Sequence, residues 1–278
     1  MDWLLLGGIL VGSLATISMN VGKGIQKMKV HVLVKRSAVF QAENRRDFLI
    51  WLSGVGLTAS SAALFSVALK MTDKSSIVSS LAGVGLVALI IFSHSVLREK
   101  IGFLEISGGF LIITGTILVG LFDVNLSGRQ VYSSSGLFLS LAIIFSFFAV
   151  LIPYSLKTKR LHGFVFGALV GTLIGLGIIL ADIALVKVED NLLRQFTTPY
   201  PYLALFFAVS ALAVTQFAFL RGRAIEVVPC INSFLILTPI FLEYFTFHTL
   251  LLPAQYIGIL VIVVGVVILS SAKERVMG

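Results

Sequence analysis

Apolar residues in this chain come in runs of about twenty, separated by short polar stretches. A run of that length, wound as a helix, crosses the ~30 Å of hydrocarbon in a bilayer. Nine can be placed: 3–20, 50–69, 76–97, 102–121, 136–155, 163–185, 203–220, 228–247 and 256–271. The pattern predicts an all-α polytopic membrane bundle, because backbone in lipid must satisfy its hydrogen bonds internally. The longest gap, 21–49, leaves no room for a soluble domain. Within it, 30–40 (VHVLVKRSAVF) reads either as an interfacial helix or as a tenth span broken by Lys35 and Arg36. The first span has no basic flank ahead of it and no small-residue cleavage site behind it, so it is expected to be a retained helix.

Composition agrees with that pattern. Of 278 residues, 58% are hydrophobic and 12% charged, against about 25% charged in a soluble domain. This excludes a soluble enzyme, a disordered chain and a disulfide scaffold. The single cysteine, Cys230, forms no internal disulfide. The net charge of +8 sits in the loops and reports membrane orientation rather than a nucleic-acid partner. Loops after odd-numbered spans carry most of the basic residues, among them Lys23, Lys27, Lys29, Lys35, Arg36, Arg98, Lys100, Arg160, Arg221 and Arg223. Loops after even-numbered spans carry only Lys70, Lys74, Arg129, Lys187 and Arg194. The positive-inside rule then puts the C-terminus in the cytoplasm and the N-terminus outside. Short loops favour a prokaryotic plasma (inner) membrane.

The chain also repeats itself. A shift of 150 residues lays spans 50–69, 76–97 and 102–121 on the last three spans. Gly108 and Gly115 then match Gly258 and Gly265, and Glu105 matches Gln255. A shift of 159 lays the first span on the sixth, matching Gly8 with Gly167 and Gly12 with Gly171. The organisation is therefore a four-helix repeat (1–121), a connector with an extra helix (122–155), and a second repeat with a short tail (156–278). Matching spans are five apart, so the copies cross the membrane in opposite directions. Inverted repeats of this kind are a signature of secondary transporters, which use them for alternating access.

Three stretches carry a resemblance to a known family: the first span ending in Asn20, Lys23, Gln26 and Lys27; residues 63–120, from ALFSVALKMTDKSS to LIITGTILVG; and VTQFAFLRGRAIEVVPCINSFLILTP, 214–239. The chain resembles the drug/metabolite transporter (DMT) superfamily, and within it the NIPA-type magnesium transporters, over nearly all of 3–271. The resemblance implies a two-half helical bundle with a central cavity. Where the NIPA-type second helix has a glutamate and an asparagine, this chain has Thr58, Ala59, Ser60, Ser61 and Ala62.

Polar groups within the spans are the candidate pathway. Ionisable side chains in a bilayer are costly and point to function. Asp182 and Glu243 are the candidate coupling or cation-binding carboxylates, with Lys23 opposite Asp182 in the 159-residue overlay. Glu105 is expected to pair with Lys100 or Arg98 at the interface, and His94 to be an interfacial histidine. Asn20, Thr58, Ser61, Thr215, Gln216, Asn232 and Thr238 are the candidate solute-binding residues; the same groups also serve as interhelical hydrogen-bond glue. There is no P-loop, HExxH, metal-ligand cysteine set or GxSxG elbow. No enzyme activity and no cofactor are therefore expected, and energy comes from a gradient. The leading expectation is a secondary transporter of a small solute. The alternatives are a NIPA-like magnesium or divalent cation transporter, with its metal ligands unassigned, and a non-transporting scaffold or biogenesis factor. The expected partners are lipids, the small-molecule or cation substrate and, compatibly, a second copy in a homodimer; no nucleic acid is expected.

Overall fold

In a computed structural model, the described residues are 3–33, 42–72, 81–122, 133–158, 161–188, 194–248 and 251–271. Among them the regular structure is entirely helical. The α-helices are α1 (Trp3–Lys29), α2 (Ala42–Thr72), α3 (Ala82–Ser95), α4 (Phe103–Leu121), α5 (Ser134–Thr158), α6 (His162–Lys187), α7 (Tyr200–Arg221), α8 (Ala224–Thr246) and α9 (Pro253–Ser271). Two single-turn 3₁₀ segments, Val30–Leu33 and Arg194–Thr197, extend α1 and precede α7.

Eight of these helices are long and apolar enough to cross a membrane, as expected of an integral membrane protein. The exception is α3, whose 14 residues rise about 21 Å at 1.5 Å per residue. The span expected there begins at 76, and residues 73–80 lie outside the described ones. The same holds for 34–41, which contain most of the stretch read as interfacial helix or tenth span.

Helices α1 and α2 outrun the apolar runs that predicted them. The first continues nine residues past Asn20, because Lys23, Gly24 and Gln26 are buried there. The second starts at Ala42, and Lys29 bridges to Asp47 in its added turns at 2.6 Å.

The chain divides into two compact units by contact. The first comprises 1–123, 219–229 and 253–278. Here α1 packs antiparallel on α2: a Cβ on Gly8 would meet Thr72, and one on Gly22 would meet Gly54 and Thr58. Parallel to α1 runs α3, where Gly12 faces Leu81 and Gly85 faces Thr16 and Asn20.

Also in this unit, α4 and α9 cross antiparallel through four glycines. A Cβ on Gly108 would lie 2.9 Å from the Gly265 carbonyl oxygen, and one on Gly115 2.6 Å from that of Gly258. The converse contacts, Gly258 to Gly115 at 2.9 Å and Gly265 to Gly108 at 2.8 Å, are as close. Glycine is required at these positions because the obstacle is a partner backbone. The contacts are reciprocal under the 150-residue shift: Gly108 meets Leu269 as Gly258 meets Val119, and Gly115 meets Ile262 as Gly265 meets Ile112. Every buried residue of α9, namely Gln255, Gly258, Ile262, Gly265, Val266 and Leu269, has its 150-residue counterpart buried on α4.

The second unit comprises 124–218 and 230–252. Leu176, Ile179 and Ile183 of α6 form its apolar centre with Leu137 of α5 and Leu242 of α8. Helices α6 and α8 run parallel, Gly171 facing Ile231 and Gly175 facing Thr238 and Pro239. The Gly171–Ile231 contact is the counterpart of Gly12–Leu81 in the first unit under the two shifts.

Candidate functional site

In the first unit the polar residues of α1 form one face. Asn20, Lys23 and Gln26 recur every third position, which confines them to an arc of roughly 120°. All three are buried. One turn before Gln26, Gly22 meets Gly54 and lets the α1 and α2 backbones touch. Gln26 Nε2 then donates across the seam to Thr58 Oγ1 at 3.0 Å and to the Gly54 carbonyl at 3.3 Å. Thr58 donates back to Gly54 at 2.9 Å, and Ser61 to the Thr58 carbonyl at 2.6 Å. Asn20 Nδ2 donates to the Thr16 carbonyl at 2.9 Å. Four expected solute or ion residues, Asn20, Lys23, Thr58 and Ser61, thus gather on one helix pair.

In the second unit the expected residues line α7 and α8. Thr215 and Gln216 are buried and donate to the carbonyls of Ala211 at 2.6 Å and Leu212 at 3.3 Å. Asn232 and Thr238 are buried on α8, and Thr238 Oγ1 bonds Thr172 Oγ1 of α6 at 3.3 Å. Pro239 follows and has no N–H, so a carbonyl one turn earlier loses its usual donor. Glu243 is half-buried near the end of the same helix. Asp182 lies on α6, but its side chain is outside the described residues. Among the described residues no three His, Cys, Asp or Glu side chains meet as a metal set. Among the aromatic side chains, Phe217 stacks edge-on against Phe166 at 4.6 Å, whereas Tyr154 and Tyr244 are exposed.

A charged cluster, not anticipated as a unit, sits at the ends of α3, α4, α7 and α8 in the first unit. Glu105 does bury in an ion pair, but with Arg223 rather than Lys100 or Arg98. Arg223 Nη2 lies 2.8 Å from Glu105 Oε1 and 2.6 Å from Glu226 Oε1. Its Nη1 donates to the Lys100 carbonyl at 2.9 Å. Burial opposes the Arg223 charge, but the hydrogen bond to Glu105 and the nearness of Glu226 outweigh it, so the guanidinium pKa is raised further. The other Glu105 oxygen accepts the Gly102 N–H at 3.0 Å, holding the start of α4.

Glu99 completes the cluster. Its two oxygens accept the N–H groups of Ala224 at 2.7 Å and Ile225 at 3.1 Å. The next two N–H groups, of Glu226 and Val227, bond the Arg223 carbonyl. The open donors of Ala224, Ile225 and Glu226 at the start of α8 are therefore satisfied, and Val227 makes the first regular helical bond, with a carboxylate at the positive dipole end. Lys27 performs the opposite service for α7, donating to the carbonyls of Phe219 and Gly222. The local traces of this cluster in the sequence are the three-residue spacings Gly102–Glu105 and Arg223–Glu226, which do not reveal the pairing between them. Comparison with protein-family models, curated proteins and solved structures gives no match to the chain.

Proposed function

We propose that the chain is a secondary transporter with the inverted-repeat plan of the drug/metabolite superfamily, moving a small solute by alternating access. The observation that carries this reading is the reciprocal packing of α4 on α9. When two copies of one surface meet about a twofold axis, residue i of one touches j of the other and j touches i. The glycine, isoleucine and leucine contacts of α4 and α9 obey that rule under the sequence shift that defines the repeat. Two further observations support it. Arg98 and His248, 150 residues apart, both take left-handed backbone, each at φ 54°. Helix directions also agree, with α1 parallel to α3, α6 parallel to α8, and α4 antiparallel to α9. The loop charges give the orientation, N-terminus outside and C-terminus cytoplasmic.

In this reading the candidate solute-contacting residues are Asn20, Lys23, Thr58 and Ser61 within the first unit, and Thr215, Gln216, Asn232 and Thr238 within the second. Hydroxyls and amides dominate both sets, which suits a neutral or zwitterionic solute better than a bare divalent ion, whose hard charge calls for carboxylates and retained waters. The test is uptake by liposomes holding the purified protein, with magnesium and a metabolite panel offered in parallel. Gradient-driven uptake of an organic solute, reduced by Asn20→Ala or Asn232→Ala, is the expected result. Uptake of magnesium alone transfers the assignment to the cation transporters. No uptake of any solute by folded protein removes the transport reading.

A further inference from the structure

The Arg223 cluster joins parts of the chain that the repeat assigns to different copies. Glu99, Lys100 and Glu105 belong to the first copy, and Arg223, Ala224 and Glu226 to the second. Six contacts cross between them or brace them: two from Arg223 to carboxylates, one to the Lys100 carbonyl, two from Glu99 to the α8 backbone, and Glu105 to Gly102. Glu105 is 4% exposed, so parting the copies here leaves that buried carboxylate without its cation, while Glu226 keeps Arg223 beside it.

An inverted repeat supplies a matching location at the other membrane face. The positions 150 residues from Glu105, Arg223, Glu226 and Glu99 are Gln255, Asp73, Ser76 and Thr249. Three of those residues are neutral and the fourth is acidic. That set contains no cation and cannot form the Arg–Glu pairs of its counterpart. The packing register is shared, since Gln255 is buried as Glu105 is; the residue types that make the Arg–Glu pairs are not.

We propose that Arg223, Glu105, Glu226 and Glu99 form a one-sided latch that holds the α3–α4 loop to the α7–α8 turn and biases the transporter toward the state shut at this, the cytoplasmic, end. This rests on the alternating-access reading above. The latch sets which state is populated without solute. Weakening it shifts that population, because an equilibrium moves by the differential free energy of its two states.

The experiment uses the full chain in liposomes with Cys230→Ser, which removes the one cysteine. A reporter cysteine at Ala224, wholly buried beneath the latch, is labelled with a membrane-impermeant maleimide. A second reporter at Leu252, 40% exposed and the counterpart of Gly102, reads the α8–α9 loop. Glu105→Gln is the gentler variant, since it installs the residue the second copy already carries; Arg223→Gln is the stronger. In both, labelling of Ala224→Cys is expected to rise roughly tenfold, the equivalent of losing one charge-assisted hydrogen bond, while labelling of Leu252→Cys falls. Unchanged Ala224→Cys labelling in folded variants overturns the latch. So does a rise at Ala224 with no fall at Leu252, because local loosening alone gives that pattern. If both reporters move as expected and no solute is taken up, the latch stands and the transport reading falls.

Discussion

Replacing Gly115 by alanine adds one methyl group at the tightest point of the α4–α9 crossing. Its carbon would lie 2.6 Å from the Gly258 carbonyl oxygen, 2.7 Å from Ile262 Cγ1 and 2.8 Å from the Ile262 nitrogen. A carbon and a carbonyl oxygen approach comfortably to about 3.3 Å, so the helices must part locally by roughly 0.7 Å. Two of the three obstacles are backbone, which has no rotamer to escape into. A gap of that size forfeits about a quarter to a half of each dispersion contact across the seam. With several tens of atom pairs at about 0.1–0.2 kcal/mol each, the cost is about 1–3 kcal/mol, in the range measured for overpacked cores. Gly109 is the internal control: a Cβ there meets only Ile90 Cδ1, at 3.7 Å. Gly109→Ala should be neutral, or stabilise by up to about 1 kcal/mol through helix propensity. The assay is the midpoint of unfolding in mixed detergent–SDS micelles for both variants and for Gly265→Ala, the repeat counterpart of Gly115→Ala. Equal midpoints for Gly115→Ala and Gly109→Ala would refute the close-crossing argument. A large loss at Gly115 with none at Gly265 would refute its reciprocity.

Three further outcomes are expected. Gly171→Ala, whose methyl meets the Ile231 carbonyl, should lose about 1–3 kcal/mol by the same assay, whereas Gly12→Ala should be near neutral, since its nearest obstacle is the flexible end of Leu81. A double-mutant cycle on Gln26→Leu and Thr58→Val should return a coupling of about 0.6 kcal/mol, typical of interhelical hydrogen bonds in membranes; additive effects would show that the 3.0 Å bond contributes nothing. Arg223→Ala should lose about 2–4 kcal/mol because it takes the guanidinium away from two buried carboxylates, whereas Lys100→Ala should stay within about 0.5 kcal/mol, as only its backbone carbonyl joins the cluster.

Apolar runs located the helices well because lipid imposes one requirement on every span. They located the helix ends less well. Hydropathy stops α1 at Asn20, yet the helix continues to Lys29, since Gln26 is bonded across to α2 and Lys23 is buried despite its polarity. Likewise α8 starts at Ala224, four residues before its apolar run, because Glu99 from a distant loop caps it. Individual polar candidates were legible, since few polar groups enter the spans. Their pairing was not: Gln26 meets Thr58 across 32 positions and Arg223 meets Glu105 across 118, and no local spacing encodes such separations. Loop charges read as markers of orientation concealed the ion pairs that some of them form.

The reciprocal seam of α4 and α9 bears on ancestry. A helix face that fits its own copy upside down lets a half-length polypeptide, inserted both ways up, pair with itself before any gene fusion. Any glycine altered in such an ancestor changes both sides of the joint at once, which keeps the fit in step. On the proposed repeat, two copies carried in one chain can drift apart, and glutamate at 105 against glutamine at 255 is a divergence of that kind.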